Sequence, residues 1–271
     1  MVPARAVGIA MPDEPLPKAR PHPIHSDNAK TRTHAPACEY VELDVTSNFS
    51  FLTGASHPDE LVQAAADLGH RGIAVADLHS VAGIVRAHVA AKQHGVQLLV
   101  GTRIRPADAG GLTLLLYPSD RPSYSRMCRL LTLGKRRAPK GECHLLLQDL
   151  EEHQDGLLAV AIAPENVEAA TLDALRQLRG WLNDDRLSLA LSRTYRQNDD
   201  ARMRTLCDLA AHARIPTVAT NAVHYHTPER RRLQDVLTCI RHGCTIEAAG
   251  WRLHANAERH LKPAQEMMRL F

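Results

Sequence analysis

Short apolar runs alternate with amphipathic stretches along most of this chain, and the alternation repeats about six times. Runs such as 72–76 and 96–100 are apolar throughout, which is typical of parallel strands that are covered on both faces. Stretches such as 81–94 and 199–213 instead have helical periodicity. This rhythm predicts an α/β fold with mainly parallel strands, either a barrel or an open sheet.

Folds of this kind place their chemistry at the carboxyl ends of the strands. The polar side chains that follow the predicted strands are therefore candidate site residues: Asp44 and Thr46, Asp77 and His79, Arg103 and Arg105, and Asn221, His224 and His226. The segment before the first strand, residues 1–37, is rich in Pro, Ala, His and charge and has no hydrophobic period. We expect that segment to be a disordered tail.

Two histidines, His224 and His226, are spaced so that they point to the same side of an extended segment and can share a metal ion. Together with Asp44, Asp77 and His79 they would suit a metal-dependent hydrolase. The alternative, which the sequence leaves open, is a pair of partly exposed loop histidines.

A basic run follows the helix predicted over 121–133 and is bordered by Gly134 and Gly141, which predicts a presented loop. Its members are Lys135, Arg136, Arg137 and Lys140. Clustered lysine and arginine side chains bind DNA backbone by displacing condensed counterions. We expect weak contact with DNA phosphates here; the alternative is an ordinary solvated charge run.

Composition narrows the classes of protein further. Apolar residues make up 44% of the 271 residues, which allows a sizeable core, whereas the net charge of +3 gives no global basic field. None of the six cysteines forms a C-x-x-C pair, so a zinc ribbon is not expected. Without an export signal or an apolar run of ~18 residues, we expect reduced cysteines, no membrane partner and a cytoplasmic location.

Several segments, taken in order from Tyr40 to Phe271, resemble the error-prone bacterial C-family DNA polymerases, which are paralogues of the DNA polymerase III alpha subunit. The most distinctive are residues 40–58, 130–138, 219–226 and 256–262, among them Ala219-Thr-Asn-Ala-Val-His-Tyr-His. The resemblance implies an amino-terminal PHP domain, a distorted (β/α) barrel of about seven mainly parallel strands, over residues 38–245. It makes 246–271 the start of a truncated connection to the polymerase body.

Active PHP domains carry a metal cluster and hydrolyse phosphoesters, and the resemblance identifies the matching positions in this chain. They are Asp44, Thr46, Thr53, Asp77, Leu78, Arg103, Ala222 and His224. Threonine, leucine and alanine are poor ligands for a divalent metal, and Arg103 brings positive charge to the place of a cation. We therefore expect vestigial positions with no metal and no catalytic residue, and an ion pair of Arg103 with Asp44 or Asp77.

The resemblance also bears on function. The polymerase chemistry of the family needs Mg²⁺ in a palm domain whose acidic residues have no match before Phe271, so we expect a fragment that does not polymerise alone. Its role is expected to be structural, within damage-induced translesion synthesis, DNA replication and repair. The expected partners are the remaining polymerase domains, translesion accessory proteins or a sliding clamp. A phosphoesterase or exonuclease with a rearranged site and a stand-alone interaction module remain alternatives.

Overall fold

Seven strands form one curled sheet, in which each strand lies beside its neighbours in the chain. The computed structural model describes residues 40–183 and 185–271, so the predicted tail 1–37 lies outside the described residues. The strands are β1 (Val41–Glu42), β2 (Gly72–Leu78), β3 (Gln97–Ile104), β4 (Thr113–Pro118), β5 (Leu157–Ile162), β6 (Leu187–Leu191) and β7 (Thr217–Ala219).

Strand directions confirm the predicted α/β fold with mainly parallel pairing. Strand β4 runs antiparallel to both β3 and β5, whereas β1, β2 and β3 pair in parallel, as do β5, β6 and β7. The connection between β3 and β4 spans only residues 105–112. Such a link is too short for the crossover that a parallel pair requires, so β4 reverses direction.

Helices follow most of the strands along the described chain. They are α1 (Pro58–Asp67), α2 (Ile84–His94), α3 (Arg121–Arg137), α4 (Leu147–His153), α5 (Ala169–Trp181), α6 (Asp199–Ala213), α7 (Arg231–His242), α8 (Ile246–Ala249) and α9 (Ala264–Leu270). Among the described residues, no helix is both long enough and apolar enough to span a bilayer.

The inner face of the curled sheet is lined by small and large side chains in alternation. Ala74 and Ala76 of β2 share a buried cluster with Leu115 and Tyr117 of β4. Gly101 of β3 makes room for this packing, because a Cβ atom there would lie 2.5 Å from the ring of Tyr117. The interior is therefore filled by side chains, as in small barrels.

The two ends of the sheet meet through the backbone just beyond β1 and β7. Val45 and Val223 form a parallel bridge, in which the Thr46 N–H donates to the Val223 carbonyl at 2.9 Å. The Val223 N–H in turn donates to the Asp44 carbonyl at 2.7 Å. This bridge curls the sheet into a distorted barrel and brings the segment after β7 beside the end of β1.

Residues after α8 pack against this junction. Tyr225 and His260 form a second bridge, and the Asn221 side chain donates to the carbonyl oxygens of Glu258 and His260 at 2.8 and 2.6 Å. The predicted boundary at residue 245 stays a prediction, as does the assignment of 246–271 to a connecting segment.

Candidate functional site: an arginine-centred pocket

An arginine takes the central place at the carboxyl end of the sheet. Arg103 reaches across from the end of β3 and forms an ion pair with Asp44, which follows β1. The same guanidinium Nη2 donates to Thr46 Oγ1 at 2.9 Å. Both partners are largely withdrawn from water, with side-chain exposures of 12% for Arg103 and 2% for Asp44. The ion pair expected from the sequence is thus present, and its acidic member is Asp44.

Asp77, at the end of β2, has no ion pair in the described residues and instead accepts hydrogen bonds from two serines. Its Oδ1 accepts from the Ser47 N–H at 2.9 Å and from Ser50 Oγ at 2.8 Å, and its Oδ2 accepts from Ser47 Oγ at 2.7 Å. Burial raises the pKa of the Asp77 carboxyl, and these serine hydrogen bonds oppose that rise. Asp77 thereby anchors the loop 46–55 to the sheet.

The two histidines of the 224–226 segment have separate partners. His224 Nδ1 donates to the Thr53 carbonyl at 3.2 Å, and its Nε2 accepts from Arg259 Nη1 at 3.3 Å. His226 Nδ1 instead lies 2.7 Å from Ser56 Oγ. Each imidazole is therefore held by groups of the protein, and nothing in this arrangement turns the pair toward a common ligand.

His79, the remaining histidine of the set, accepts a hydrogen bond from the Arg105 N–H at its Nε2, at 3.2 Å. Burial, together with repulsion by Arg105 and Lys135, lowers the pKa of His79 to about 4. Burial likewise lowers the pKa of His224 well below its usual value, with Arg259 contributing. Both imidazoles are neutral at pH 7.

Three of the matching positions, Leu78, Thr53 and Ala222, have side chains that are poor ligands for a metal ion, and they lie at the same end of the sheet. The Leu78 N–H donates to Ser50 Oγ at 2.8 Å, and Thr53 Oγ1 accepts from Arg241 at 3.3 Å. Ala222 adopts a left-handed φ of 49°, which an Asp or Asn side chain tolerates better. Among the described residues, no three His, Cys, Asp or Glu side chains converge closely enough to hold a metal ion.

Further arginines surround this pocket. Arg103 and Arg241 lower the pKa of Arg105 by repulsion, in addition to its burial, and Arg259 is similarly affected by burial and by Arg196. Within the described ranges, Arg105, Arg241 and Arg259 form no ion pair shorter than 4 Å. The electrostatic field at this end of the sheet is positive, and it opposes the binding of a divalent cation.

Three residues important to the site were not predicted from the sequence. Burial raises the pKa of Glu42 to about 8, although its carboxyl accepts hydrogen bonds from Tyr40, from the Asp44 N–H and from the Asn221 N–H. Arg259 and His254 also contact the pocket, and both come from the segment after α8. Neither periodicity nor spacing indicates that this distant segment folds back onto the strand ends.

The basic run is not the presented loop that we predicted. Lys135, Arg136 and Arg137 form the last turn of α3, which continues past Gly134. That glycine does not end the helix; it lets the segment 143–145 pass closely, because a Cβ atom there would lie 2.7 Å from Cys143 Sγ. Arg137 forms a bidentate ion pair with Asp149, in which Nη1 donates to Oδ2 at 2.7 Å and Nη2 donates to Oδ1 at 2.9 Å. It therefore has a structural partner already, and contact with DNA by the run stays a prediction.

Comparisons with known proteins agree with this architecture. Residues 42–219 match the family model of the PHP domain. "Error-prone DNA polymerase 1" of Agrobacterium fabrum is 47% identical over 235 residues, and "Error-prone DNA polymerase" of Rhodopseudomonas palustris is 48% identical over 236. The matches cover 87% and 86% of this chain but 21% of each relative. The chain thus spans about a fifth of the length of the curated relatives that it matches.

Solved structures share the fold at low identity. One, from Bifidobacterium adolescentis and assigned as a metal-dependent phosphoesterase, has a TM-score of 0.51 and 18% identity over 70% of this chain and 89% of its own. An amidohydrolase from Chromobacterium violaceum has a TM-score of 0.50 and 15% identity, over 68% of this chain and 87% of its own. At these identities the likeness shows the fold alone.

We predict that Arg103→Met lowers the free energy of unfolding by about 3–5 kcal/mol, because it leaves the Asp44 carboxylate buried without its cation. The double variant Arg103→Met/Asp44→Asn removes both charges and should regain part of that loss. Urea denaturation of the two variants and the parent measures the difference. A loss below about 1 kcal/mol for Arg103→Met, which is typical of exposed pairs, would contradict a buried ion pair.

Acid should destabilise the protein through His254. Burial and the repulsion of nearby arginines together lower the pKa of this ring to about 3. The groups that face it are Arg196, Arg231, Arg241, Arg259, His224 and Tyr225. A folded-state pKa below the unfolded value means that His254 stabilises the fold above pH 6.5 and that this stability is lost as the pH falls toward 3.

We therefore expect His254→Gln to reduce the acid-induced loss of stability by about 1 kcal/mol between pH 7 and pH 5. The effect is no larger because the ring is partly exposed, so that solvent screens the repulsion of its arginine neighbours. Urea denaturation at both pH values measures it. The control is His88→Gln, which alters an exposed residue of α2. Equal pH dependence in the parent and in His254→Gln would show that His254 does not carry the effect.

Proposed function

The chain belongs to the PHP domain family, and from that membership we propose that it is the non-catalytic PHP domain of an error-prone C-family DNA polymerase. The relatives of the previous section support the polymerase context. The observation that carries the non-catalytic role is Arg103, which places a guanidinium against Asp44 at the centre of the pocket. On this proposal the domain holds no metal, and any Mg²⁺ of the polymerase reaction belongs to a palm domain elsewhere.

The chemistry of the pocket supports this proposal on three counts. The Asp44 carboxylate already has a cation, and the Asp77 carboxylate is occupied by serine donors. His224 uses both ring nitrogens, one toward Thr53 and one toward Arg259. A metal would have to displace all of these partners and also overcome the repulsion of the arginines around it.

A metal-dependent phosphoesterase with a rearranged site is the alternative function. It would need Asp44, Asp77, His79, His224 and His226 to converge on one ion. The Bifidobacterium neighbour assigned as a metal-dependent phosphoesterase keeps this alternative in view, although it shares the fold alone. The separate hydrogen-bond partners of His224 and His226 count against it.

An exposed apolar face on α7 supports a bracing role within a larger protein. The helix exposes Leu233, Val236 and Ile240 while it buries Gln234 and Thr238, which reverses the usual order of a surface helix. Exposed Ile246 extends the face across a groove of about 430 Å³. Contiguous apolar surface of this kind marks a protein interface. We call Leu233, Val236, Ile240 and Ile246 the α7 apolar face.

The remaining polymerase domains are the partner that we propose for the α7 apolar face. The matched region is about a fifth of each relative, so much of each polymerase lies outside it. The setting we propose is translesion synthesis, with DNA replication and repair, in the bacterial cytoplasm, where accessory proteins or a sliding clamp join the assembly. A stand-alone module that binds such an assembly would use the same face.

Metal analysis tests the non-catalytic role. We expect well under one equivalent of Zn²⁺ or Mn²⁺ to remain with the protein after desalting, and no hydrolysis of a generic phosphodiester in the presence of either ion. The electrostatic reason is the guanidinium that stands against Asp44. A stoichiometry near one, together with hydrolysis that Asp77→Asn abolishes, would establish the phosphoesterase instead.

The bracing role can be tested in a chimera in which this chain replaces the matched part of the Caulobacter vibrioides polymerase, a relative of 47% identity. We expect two unfolding transitions in calorimetry for Val236→Asp/Ile240→Asp, one for the domain and one for the rest of the polymerase, because the variant places charge in the interface. The control Val85→Asp alters an exposed residue of α2 and should leave one transition.

In the isolated chain, Val236→Asp/Ile240→Asp and Val85→Asp should both change stability by no more than about 0.5 kcal/mol per substitution, because the altered side chains are exposed. Polymerase chimeras that unfold alike with Val236→Asp/Ile240→Asp and with Val85→Asp would exclude the α7 apolar face as the interface.

A further inference from the structure

A groove of about 600 Å³ opens beside the pocket around Arg103, at Leu78 and His79. One wall is the loop 49–53, the floor includes Leu78 and His79, and the opposite wall is the end of α3 with the turn that follows it. The residues that give the groove its chemical character are Phe49, Phe51, His79, Lys135 and Lys140. Its volume lies within the range of about 300–1,000 Å³ of sites that hold ligands of nucleotide size.

Exposed aromatic rings are the first unusual feature of this groove. The chain has three phenylalanines, and two of them, Phe49 and Phe51, line the groove with exposures of 39% and 83%. In a chain that has so few aromatic side chains, a ring that stands in water contributes nothing to the core. An exposed ring at the rim of a groove is instead suited to stacking against a planar partner.

The loop that carries these rings is rigidly held. Ser47 and Ser50, on either side of Phe49, bind the Asp77 carboxylate, and Ser50 Oγ also accepts from the Leu78 N–H. Backbone hydrogen bonds from Ser50 to Ser47 and from Thr53 to Ser50 tighten the turns further. Phe49 and Phe51 are thus presented on a preorganised loop, which lowers the entropy cost of binding.

The opposite wall supplies positive charge. Lys135 and Lys140 are exposed, and neither has an acidic partner within 4 Å in the part of the chain that the structure describes. Glu142 is the acidic residue on the lining. Lys135 and Lys140 line the same groove as Phe49 and Phe51. Aromatic rings facing lysines are the elements of a single-strand nucleic-acid site.

We propose that this groove binds single-stranded DNA, with one base stacked on Phe51 and the flanking phosphates at Lys135 and Lys140. The choice of DNA rests on the proposed polymerase context. A duplex is disfavoured, because its bases are already stacked on each other and cannot reach the ring. An acidic peptide would satisfy the lysines but has no planar group to occupy the ring, so it is the competing occupant.

The assignment also revises the predicted DNA contact. Arg137 is committed to Asp149, and Arg136 does not line the groove. Of the basic run, Lys135 and Lys140 remain, and Phe51 joins them from a different part of the chain.

The experiment measures binding of a fluorescein-labelled oligo-dT to the chain by anisotropy at several salt concentrations. We expect Phe51→Ala to weaken binding about 5- to 160-fold, the range for loss of one stacked base. Lys135→Ala/Lys140→Ala should reduce the slope of log K against log salt by about 1.4, or ~0.7 for each phosphate of a single strand. The matched control Val85→Ala/Lys92→Ala alters an exposed apolar residue and an exposed lysine on α2 and should bind like the parent.

An abasic oligonucleotide of the same length separates stacking from charge. The parent should bind the abasic oligonucleotide as weakly as Phe51→Ala binds oligo-dT. The affinity for the abasic oligonucleotide should be the same in the parent and in Phe51→Ala. Equal binding of oligo-dT by the parent and Phe51→Ala would overturn the proposal, as would equal affinity for a blunt duplex. So would poly-glutamate that competes equally well against the parent and against Phe51→Ala. None of these results bears on the metal content, so a failure here is distinguishable from a failure of the proposed function.

Discussion

The meeting of Val45 with Val223 is the constraint on which the rest of the site depends. A curled sheet of seven strands has two free edges, and this bridge joins them through two backbone hydrogen bonds. It places Asp44, from the first strand end, beside His224, from the last. The buried Glu42 carboxyl strengthens the junction, because it accepts from the backbone N–H groups of both Asp44 and Asn221. The side chains at the pocket are thus held together by the backbone, whether or not a metal joins them.

That backbone scaffold brings two buried carboxylates, Asp44 and Asp77, to the same end of the sheet. Without partners they would repel each other, at a cost of several kcal/mol. Arg103 supplies positive charge to Asp44, and Ser47 and Ser50 supply donors to Asp77. The two carboxylates are therefore stabilised by two different means, one by an ion pair and one by neutral hydrogen bonds.

Much of the fold was predictable from the sequence because apolar runs and helical periods are local signals. The helical stretch predicted over 199–213 coincides with α6. The end of α3 was misjudged, because Gly134 was taken as a terminator whereas it serves a close approach of the segment 143–145. Arg259, His254 and Phe51 were missed for a related reason. Each acts through a long-range contact or an exposed surface, which no local pattern encodes.

Asp77 connects the pocket to the groove beside it. As a metal ligand it would need free lone pairs, but here the serines of the loop 46–55 occupy its oxygens. The same hydrogen bonds fix the loop that presents Phe49 and Phe51. The loop donors therefore compete with a metal ion for the Asp77 oxygens. Replacing Arg103 by an acidic residue would consequently not restore a metal site by itself, because these donors would still compete for Asp77.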